Sequence, residues 1–328
     1  MAVLVTGGAG YIGGHMVLGL LDRGEEVVIV DNLSTGLAWS VPAGAKLVVG
    51  DFGDAALVAT AIKENSVDAV AHFAAKIVVP ESVSDPLGYY LNNTSKARTL
   101  IECAVEHRVR NFIFSSTAAV YGETSDKPVA EDAPLRPVSP YGRSKLMVEW
   151  MLEDAARAHE FHYFVLRYFN VAGADPMGRL GQSTPNATHL IKRAVQTALG
   201  RHAGMDIYGD DYLTPDGTCV RDYIQVSDLI DAHLAALDHL RGGGGNLTCN
   251  CGYGRGYSVK EVIDVVKRVS GVDFAVRQMG RRAGDPATIV AQSERIRTEI
   301  GWTPRNDNLE TIVQQALDWE RRLHNRQT

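Results

Sequence analysis

The chain has 328 residues, 33 Lys and Arg against 39 Asp and Glu, a formal charge of -6 and 45% hydrophobic residues. That apolar content buries a full core and excludes intrinsic disorder, the acidic balance excludes a nucleic-acid binder, and four cysteines exclude a disulfide scaffold and suit a reducing compartment. No apolar run reaches the roughly 18 residues that span a bilayer, and residues 2–5 lead straight into Thr6-Gly7-Gly8 without room for a signal peptide, so a soluble cytoplasmic protein of about two domains is expected, with no membrane partner.

In chain order, short runs rich in β-branched and aromatic residues stand at 3–5, 27–30, 47–49, 69–73, 112–114 and 163–166. They are too short for helices and read as strands buried on both faces. Amphipathic stretches at 11–23, 54–65, 86–107 and 140–159 lie between them and read as helices. Asp85-Pro86 and Ser139-Pro140 each put a capping side chain before a proline at the first helical position. This alternation predicts an α/β fold with a doubly wound parallel sheet and right-handed crossovers.

After about residue 170 the pattern loosens. Residues 175–188 read as loop, 190–199 and 226–240 as helices, 242–245 as a glycine surface turn, 247–251 as a strand and 308–322 as a helix with one apolar face. A smaller, less regular C-terminal lobe is expected, with the crevice beside it as the ligand site.

Gly8-Ala9-Gly10-Tyr11-Ile12-Gly13 fits G-x-G-x-x-G and follows the first strand directly. Glycine is needed there because a side chain would keep the backbone from a pyrophosphate, while the opening helix aims free N–H groups at it. Asp31 ends the second strand, eighteen residues after Gly13. A carboxylate at that place accepts both ribose hydroxyls of adenosine and repels a 2′-phosphate, which points to NAD rather than NADP; the competing reading is that Asp31-Asn32 only caps a loop. Asp51 and Phe73-Ala74-Ala75 fall on the same carboxyl edge of the sheet.

Tyr141 and Lys145 are four apart on the helix opened by Ser139-Pro140, hence on one face. With 12 tyrosines in the chain such a pair also arises by chance, as a surface pair. Support comes from Ser115-Ser116-Thr117 at the end of the 112–114 strand, where a hydroxyl reaches the crevice. To act as a base, a tyrosine must fall from near 10 to near 7, about 4 kcal/mol. One ammonium at ~4 Å supplies about 4 kcal/mol at an effective dielectric of 20. Tyr141 is therefore expected to shuttle a substrate hydroxyl proton while the carbon beneath gives hydride to NAD.

These segments together resemble the extended short-chain dehydrogenase/reductase superfamily (the NAD-dependent epimerases and dehydratases) and, within it, the UDP-glucose 4-epimerases. The resemblance runs through residues 3–13, 31–33, 72–75, 111–122, 139–149, 166–170, 216–224 and 281–285, nearly the whole chain. It implies a Rossmann-like domain over 1–170, with part of 222–250 returning to it, and a nucleotide-sugar lobe mainly over 171–328. It also implies tightly held NAD, oxidation of the sugar C4 carbinol and return of hydride to the other face of the ketone. Catalysis would fall to Tyr141, Lys145 and Thr117. NAD would be held by Gly7, Gly10, Tyr11, Ile12, Gly13, Asp31, Asn32, Asp51, Phe52, Phe73, Ala74, Ala75, Asn92, Tyr141, Lys145 and Phe169. The UDP-sugar would meet Thr117, Asn170, His189, Leu190, Tyr208, Arg221, Arg282 and Asp285, with arginines suited to a diphosphate. Arg221-Asp222 also reads as an internal ion pair. A homodimer through helices 86–107 and 140–159 is implied as well.

Dehydratases of the superfamily place Asp-Glu directly after the threonine, and a uronate decarboxylase would want an acid nearby. Here those positions are Ala118 and Ala119, and methyl groups neither give nor take protons. A non-catalytic NAD-binding regulator would not need Tyr141, Lys145 and Thr117, all of which are present. Ile289 stands where the family decides whether an N-acetylated sugar fits, and its size suggests tolerance; UDP-pentose and UDP-uronate stay open as substrates. Cys249-Asn250-Cys251 lacks zinc-site spacing, and His15 and His72 lack ligand partners, so buried packing and no metal are expected. No chemistry is attached to the C-terminal helix.

Overall fold

The structure, a computed structural model, describes residues 1–124, 127–185, 187–282 and 285–327. Its first half alternates β1 (Ala2–Thr6), α1 (Tyr11–Asp22), β2 (Glu26–Asp31), β3 (Lys46–Val49), α2 (Ala55–Glu64) and β4 (Val67–His72). There follow α3 (Val79–Ser84), α4 (Pro86–Tyr89), α5 (Lys96–Glu106), β5 (Asn111–Thr117), α6 (Pro140–Ala158) and β6 (His162–Tyr168). Further on come β7 (Asn170–Ala172), α7 (Leu190–Ala198), β8 (Met205–Tyr208), β9 (Val220–Gln225), α8 (Val226–Arg241), β10 (Leu247–Cys251) and β11 (Gly256–Ser258). The chain ends with α9 (Val259–Ser270), β12 (Val276–Met279), β13 (Thr288–Ile289), α10 (Glu294–Ile300) and α11 (Leu309–Gln327).

Seven parallel strands form one sheet in the order β10-β6-β5-β4-β1-β2-β3. The order reverses between β1 and β4, the switch point where ligands of such Rossmann-like sheets sit. The apolar strands demand cover on both faces. On one, Met16, Val17 and Leu20 of α1 interlock with Ile230, Leu234 and Leu237 of α8. On the other, α2, α5 and α6 bury Val58, Leu100, Val148 and Leu152 against Phe112, Phe114 and Val165. α8 and β10 thus join the first sheet from far along the chain. The two proline-opened helices start as their caps direct: Ser139 accepts from Gly142 N at 3.1 Å and Asp85 from Gly88 N at 3.0 Å.

Two expectations need correction. The helix read as continuous over 86–107 is α4, a π-helical turn (Tyr90–Ser95) and α5. Side chains of Asn92 and Asn93 engage each other within the turn, and such turns accompany functional sites. The chain after about residue 170, too, is more regular than its composition suggests. α7, α9 and α11 share a core with Ile191, Val195, Val262, Val266, Ile312 and Val313. β9 pairs with β7, β11 and β13, and β8 with β12. α9 was signed by a capping box, Ser258 with Glu261, ahead of its apolar positions. Within 175–188 regular pairing is limited to an Ala174–Gly181 bridge among the described residues, and Asn186 lies outside them. Among the described residues no helix is long and apolar enough to cross a membrane.

Candidate active site

The glycine loop closes the β1–α1 turn. Gly7 has φ +73°, and a Cβ there would stand 2.8 Å from Ala74 N; one on Gly13 would stand 2.2 Å from Gly7 O. Glycine at these two positions lets β1, α1 and the loop after β4 approach each other. Tyr11 donates its hydroxyl to Gly173 O at 2.8 Å, and Ile12 packs on the core. Gly10 caps α1 without a side chain, so the first turn keeps free N–H groups.

Asp31 is 8% exposed and accepts from Ala9 N at 3.0 Å and Leu33 N at 2.8 Å. The capping reading is therefore part of its role, and each oxygen keeps a lone pair for a ligand. Gly36 leaves that side open: a Cβ there would lie 2.8 and 3.0 Å from the two carboxylate oxygens. Asn32 is exposed beside it and accepts from Ser34 N. Burial would raise the Asp51 carboxyl, but Lys96 at 2.5 Å and Gly53 N at 2.8 Å hold it below the usual carboxylate range. Phe52 is buried against the His72 ring, and Phe73 packs 4.9 Å from the His233 ring. Ala74 N donates to Thr6, and Ala75 follows in the half-buried loop. Asn93, missed in the sequence, pins that loop: it bonds both backbone groups of Lys76 at 2.9 Å and donates to Ser144 at 3.1 Å. The Asn-Asn pair inside a helical pattern was the available signal.

At the carboxyl end of β5 the structure brings Thr117, Tyr141 and Lys145 together. The Thr117 side chain lies beside the Tyr141 phenol, near enough to favour its ionised form. Lys145 is 3% exposed; its ammonium donates to Ser115 O at 2.9 Å and lies 4.8 Å from the centre of the Phe114 ring. The expected electrostatics differ here. Burial raises Tyr141 and the neighbouring Thr117 hydroxyl offsets only part of this, while burial pulls Lys145 down to about 7 against the opposing charge of Glu149. Neither shift carries the other group's charge, so desolvation sets the direction of both, with Lys145 buried and Tyr141 half-buried at the mouth of the site. Ala118 and Ala119 form the 3-10 turn after Thr117, so that turn offers no carboxyl group. Phe169 lies half-buried beside the apolar cluster of Ala118, Tyr121 and Ile289.

Asn170, His189 and Leu190 line a small pocket together with Gln182, Tyr223 and Trp319. Burial lowers His189, with Lys192 adding to it, and Gln182 holds its Nδ1 at 2.8 Å. The other candidates after residue 170 meet in pairs. The Arg282 guanidinium stacks 3.7 Å from the Tyr208 ring centre, and Arg221 comes within 3.9 Å of Asp285. Arg221 does not pair with Asp222. That carboxylate is fully buried and accepts from Tyr253, Gly254 and Ala291 backbone N–H groups, and burial lifts it to about 6. Of the 281–285 segment, Ala283 and Gly284 lie outside the described residues. The C-terminal helix carries more than cover: Glu320, 1% exposed, binds Lys192 and Arg201. The four cysteines are free and buried.

Residues 3–252 match the family model described as the NAD dependent epimerase/dehydratase family. A UDP-glucose 4-epimerase of Azospirillum brasilense is 55% identical over 321 residues, 98% of this chain and 92% of that one. The crystal structure of a UDP-glucose 4-epimerase from Brucella ovis in complex with NAD superposes with a TM-score of 0.94 at 43% identity, covering 97% of each chain. A UDP-Glc/GlcNAc 4-epimerase from Campylobacter jejuni superposes with a TM-score of 0.85 at 47% identity, over 98% of this chain and 99% of that one. With residues 3–252 matched, relatives aligned over nearly the whole chain and the strand order of a doubly wound sheet in place, the chain belongs to the NAD dependent epimerase/dehydratase family.

Proposed function

We propose that the protein is an isomerase that interconverts UDP-glucose and UDP-galactose through C4, using tightly bound NAD. The observation that carries this reading is the meeting of Tyr141, Thr117 and Lys145 at the end of β5, followed by alanines where further acid–base chemistry would need carboxyls. NAD fits the cleft: the glycine turn leaves no side chain over the α1 N-terminus, and Gly36 leaves the Asp31 carboxylate uncovered. Gly7, Gly10, Tyr11, Ile12 and Gly13 would hold the pyrophosphate, and Asp31 with Asn32 the adenosine ribose. Asp51, Phe52, Phe73, Ala74, Ala75, Asn92 and Phe169 would wall the remainder, with Tyr141 and Lys145 at the nicotinamide end. Residues 1–170 with part of 222–250 would form the dinucleotide domain, and 171–328 mainly the sugar lobe.

When bound, NAD supplies the acceptor and then the donor of the C4 hydride. Burial keeps the Tyr141 phenol protonated in the protein by itself, so its role as base needs the positive charge that the oxidised nicotinamide would bring. With that charge present, Tyr141 Oη would take the C4 hydroxyl proton as the C–H electron pair leaves, and return it when the carbonyl is reduced from its other face. Thr117 orients the C4 oxygen toward that phenol. Lys145, seated on the Ser115 carbonyl, would hold the nicotinamide ribose and, when protonated, favour the phenolate. Asn170, His189, Leu190, Tyr208, Arg221, Arg282 and Asp285 would hold the uridine diphosphate while the keto sugar turns. Purified protein incubated with UDP-galactose and no added NAD should yield UDP-glucose; recovery of unchanged UDP-galactose would refute the reading.

A second reading, tolerance of UDP-N-acetyl sugars, is favoured by Ile289, an aliphatic side chain in the cluster beside Ala118 and Phe169. Dimerisation through α4–α5 and α6 is supported by exposed Leu87, Leu91 and Trp150, at 78%, 59% and 53%. Four buried free thiols support a cytoplasmic, reducing setting.

A further inference from the structure

We propose that Glu149 is a positioning residue for the proton relay, acting through Ser116 on the strand end that holds both Lys145 and Tyr141. The proposal rests on the epimerase reading above. Ser116 and Arg167 are register partners on β5 and β6, and Glu149 descends on them from α6. Its carboxylate accepts the Ser116 hydroxyl and three contacts from Arg167: Nε at 3.1 and 3.2 Å and Nη2 at 2.6 Å. Ser116, Arg167 and Glu149 are 1%, 5% and 6% exposed. Arg167 is itself held from behind. Its Nη1 donates to the Tyr121 hydroxyl at 3.0 Å, which donates to Asn250 Oδ1 at 2.7 Å. The carboxylate therefore has one orientation.

What that orientation fixes lies on either side of Ser116. The preceding residue offers the carbonyl that receives the Lys145 ammonium, and the following one offers the side chain that meets the Tyr141 phenol. A hydroxyl tied down between them fixes the peptide units from which both relay members hang. Lys145 and Glu149 are also one helical turn apart on α6, so the acid that anchors the strand supports the charge of the amine.

Packing does not require an ion pair here. Val148 and Leu152 already seal α6 against Phe112, Phe114 and Val165. Apolar replacements of buried ion pairs are often neutral or stabilising, so the pair's value is sought in the relay. The titratable and charged groups around Lys145 are Tyr141 and Glu149 on its own helix, His72 on β4, and Arg167 on β6 behind Glu149.

The test uses the NAD-loaded protein. Ser116→Ala removes the anchor and leaves the ion pair; kcat with UDP-galactose should fall about tenfold, with KM and retained NAD unchanged. Glu149→Gln should also lower the pH at which Lys145 loses its proton, read by NMR of isotopically labelled lysine ε-methylenes. If Glu149→Gln does not fold, the pair Glu149→Leu with Arg167→Met should keep or raise Tm and still show the kcat loss. Native kcat in Ser116→Ala or in the apolar pair, or an unmoved Lys145 titration in Glu149→Gln, overturns the proposal. Wild-type protein that turns over no UDP-sugar overturns the epimerase reading instead, and the lysine titration then decides the role of Glu149 by itself.

Discussion

The Lys145 ammonium is seated on the Ser115 carbonyl at 2.9 Å, one residue of separation from the threonine that meets the phenol of Tyr141. The relay is thus organised by the end of a buried strand, and the helix delivers its two titratable members to it. This arrangement explains why burial dominates both groups in the protein by itself, and it sets the following expectations.

Tyr141→Phe keeps the ring and removes the oxygen. Retained NAD, read from the absorbance of protein purified without added nucleotide, should match the native value. Conversion of UDP-galactose should fall by about 10³-fold, within the range of a lost general acid–base. Full activity would remove Tyr141 from the mechanism.

Lys145 binds its proton near pH 7 in the folded chain against an ordinary 10.5. Between those values the unfolded chain carries more protons, so this group makes stability rise with pH through that window, and its full cost is present below it. In nucleotide-free protein, Lys145→Met should melt higher than native at pH 7, with the gap closing toward about pH 10. A constant gap across that range would show that the amine is not the titrating group.

Arg221 reaches toward Asp285 from β9, and its guanidinium also donates to Val220 O at 2.9 Å. Arg221→Ala should raise KM for the UDP-sugar by roughly tenfold or more while kcat changes little, because a held diphosphate contributes equally to ground and transition states. Arg221→Lys should not restore the native KM, since a point charge lacks the planar fork. Steady-state kinetics decide both.

Ile289 is 8% exposed in the cluster with Ala118 and Tyr121. Native protein should turn over UDP-GlcNAc, and Ile289→Tyr should suppress that reaction more than the UDP-galactose reaction. A native UDP-GlcNAc rate below about a thousandth of the UDP-glucose rate, where a single pocket contact discriminates by ~10–200-fold, would dispose of the idea.

Leu91 and Trp150 present apolar surface on neighbouring helical segments. Leu91→Glu with Trp150→Glu should convert a dimer to a monomer in sedimentation velocity, with the monomer's fold retained by circular dichroism. A native protein that sediments as a monomer would refute the dimer.

Much of this site was legible in the residues alone, and the reason is local. A glycine turn between a strand and a helix, an acid at the end of the next strand, and a Tyr–Lys pair behind a serine cap are set by backbone geometry within a few residues, so Gly7, Gly13, Asp31, Tyr141 and Lys145 announce themselves. The parallel sheet followed for the same reason, since apolar runs alternating with amphipathic ones leave few other folds. Tertiary structure alone decided what crosses the chain. It showed that β10 completes the first sheet beside β6, that Asp222 serves three backbone N–H groups rather than Arg221, and that Asn93 ties one loop to α6. It also paired Glu149 with Arg167 and Ser116 in the interior. Partners brought together over long loops leave no period in the sequence, and desolvation, which pushes Tyr141 and Lys145 against the direction their spacing suggests, exists only once the core has closed over them.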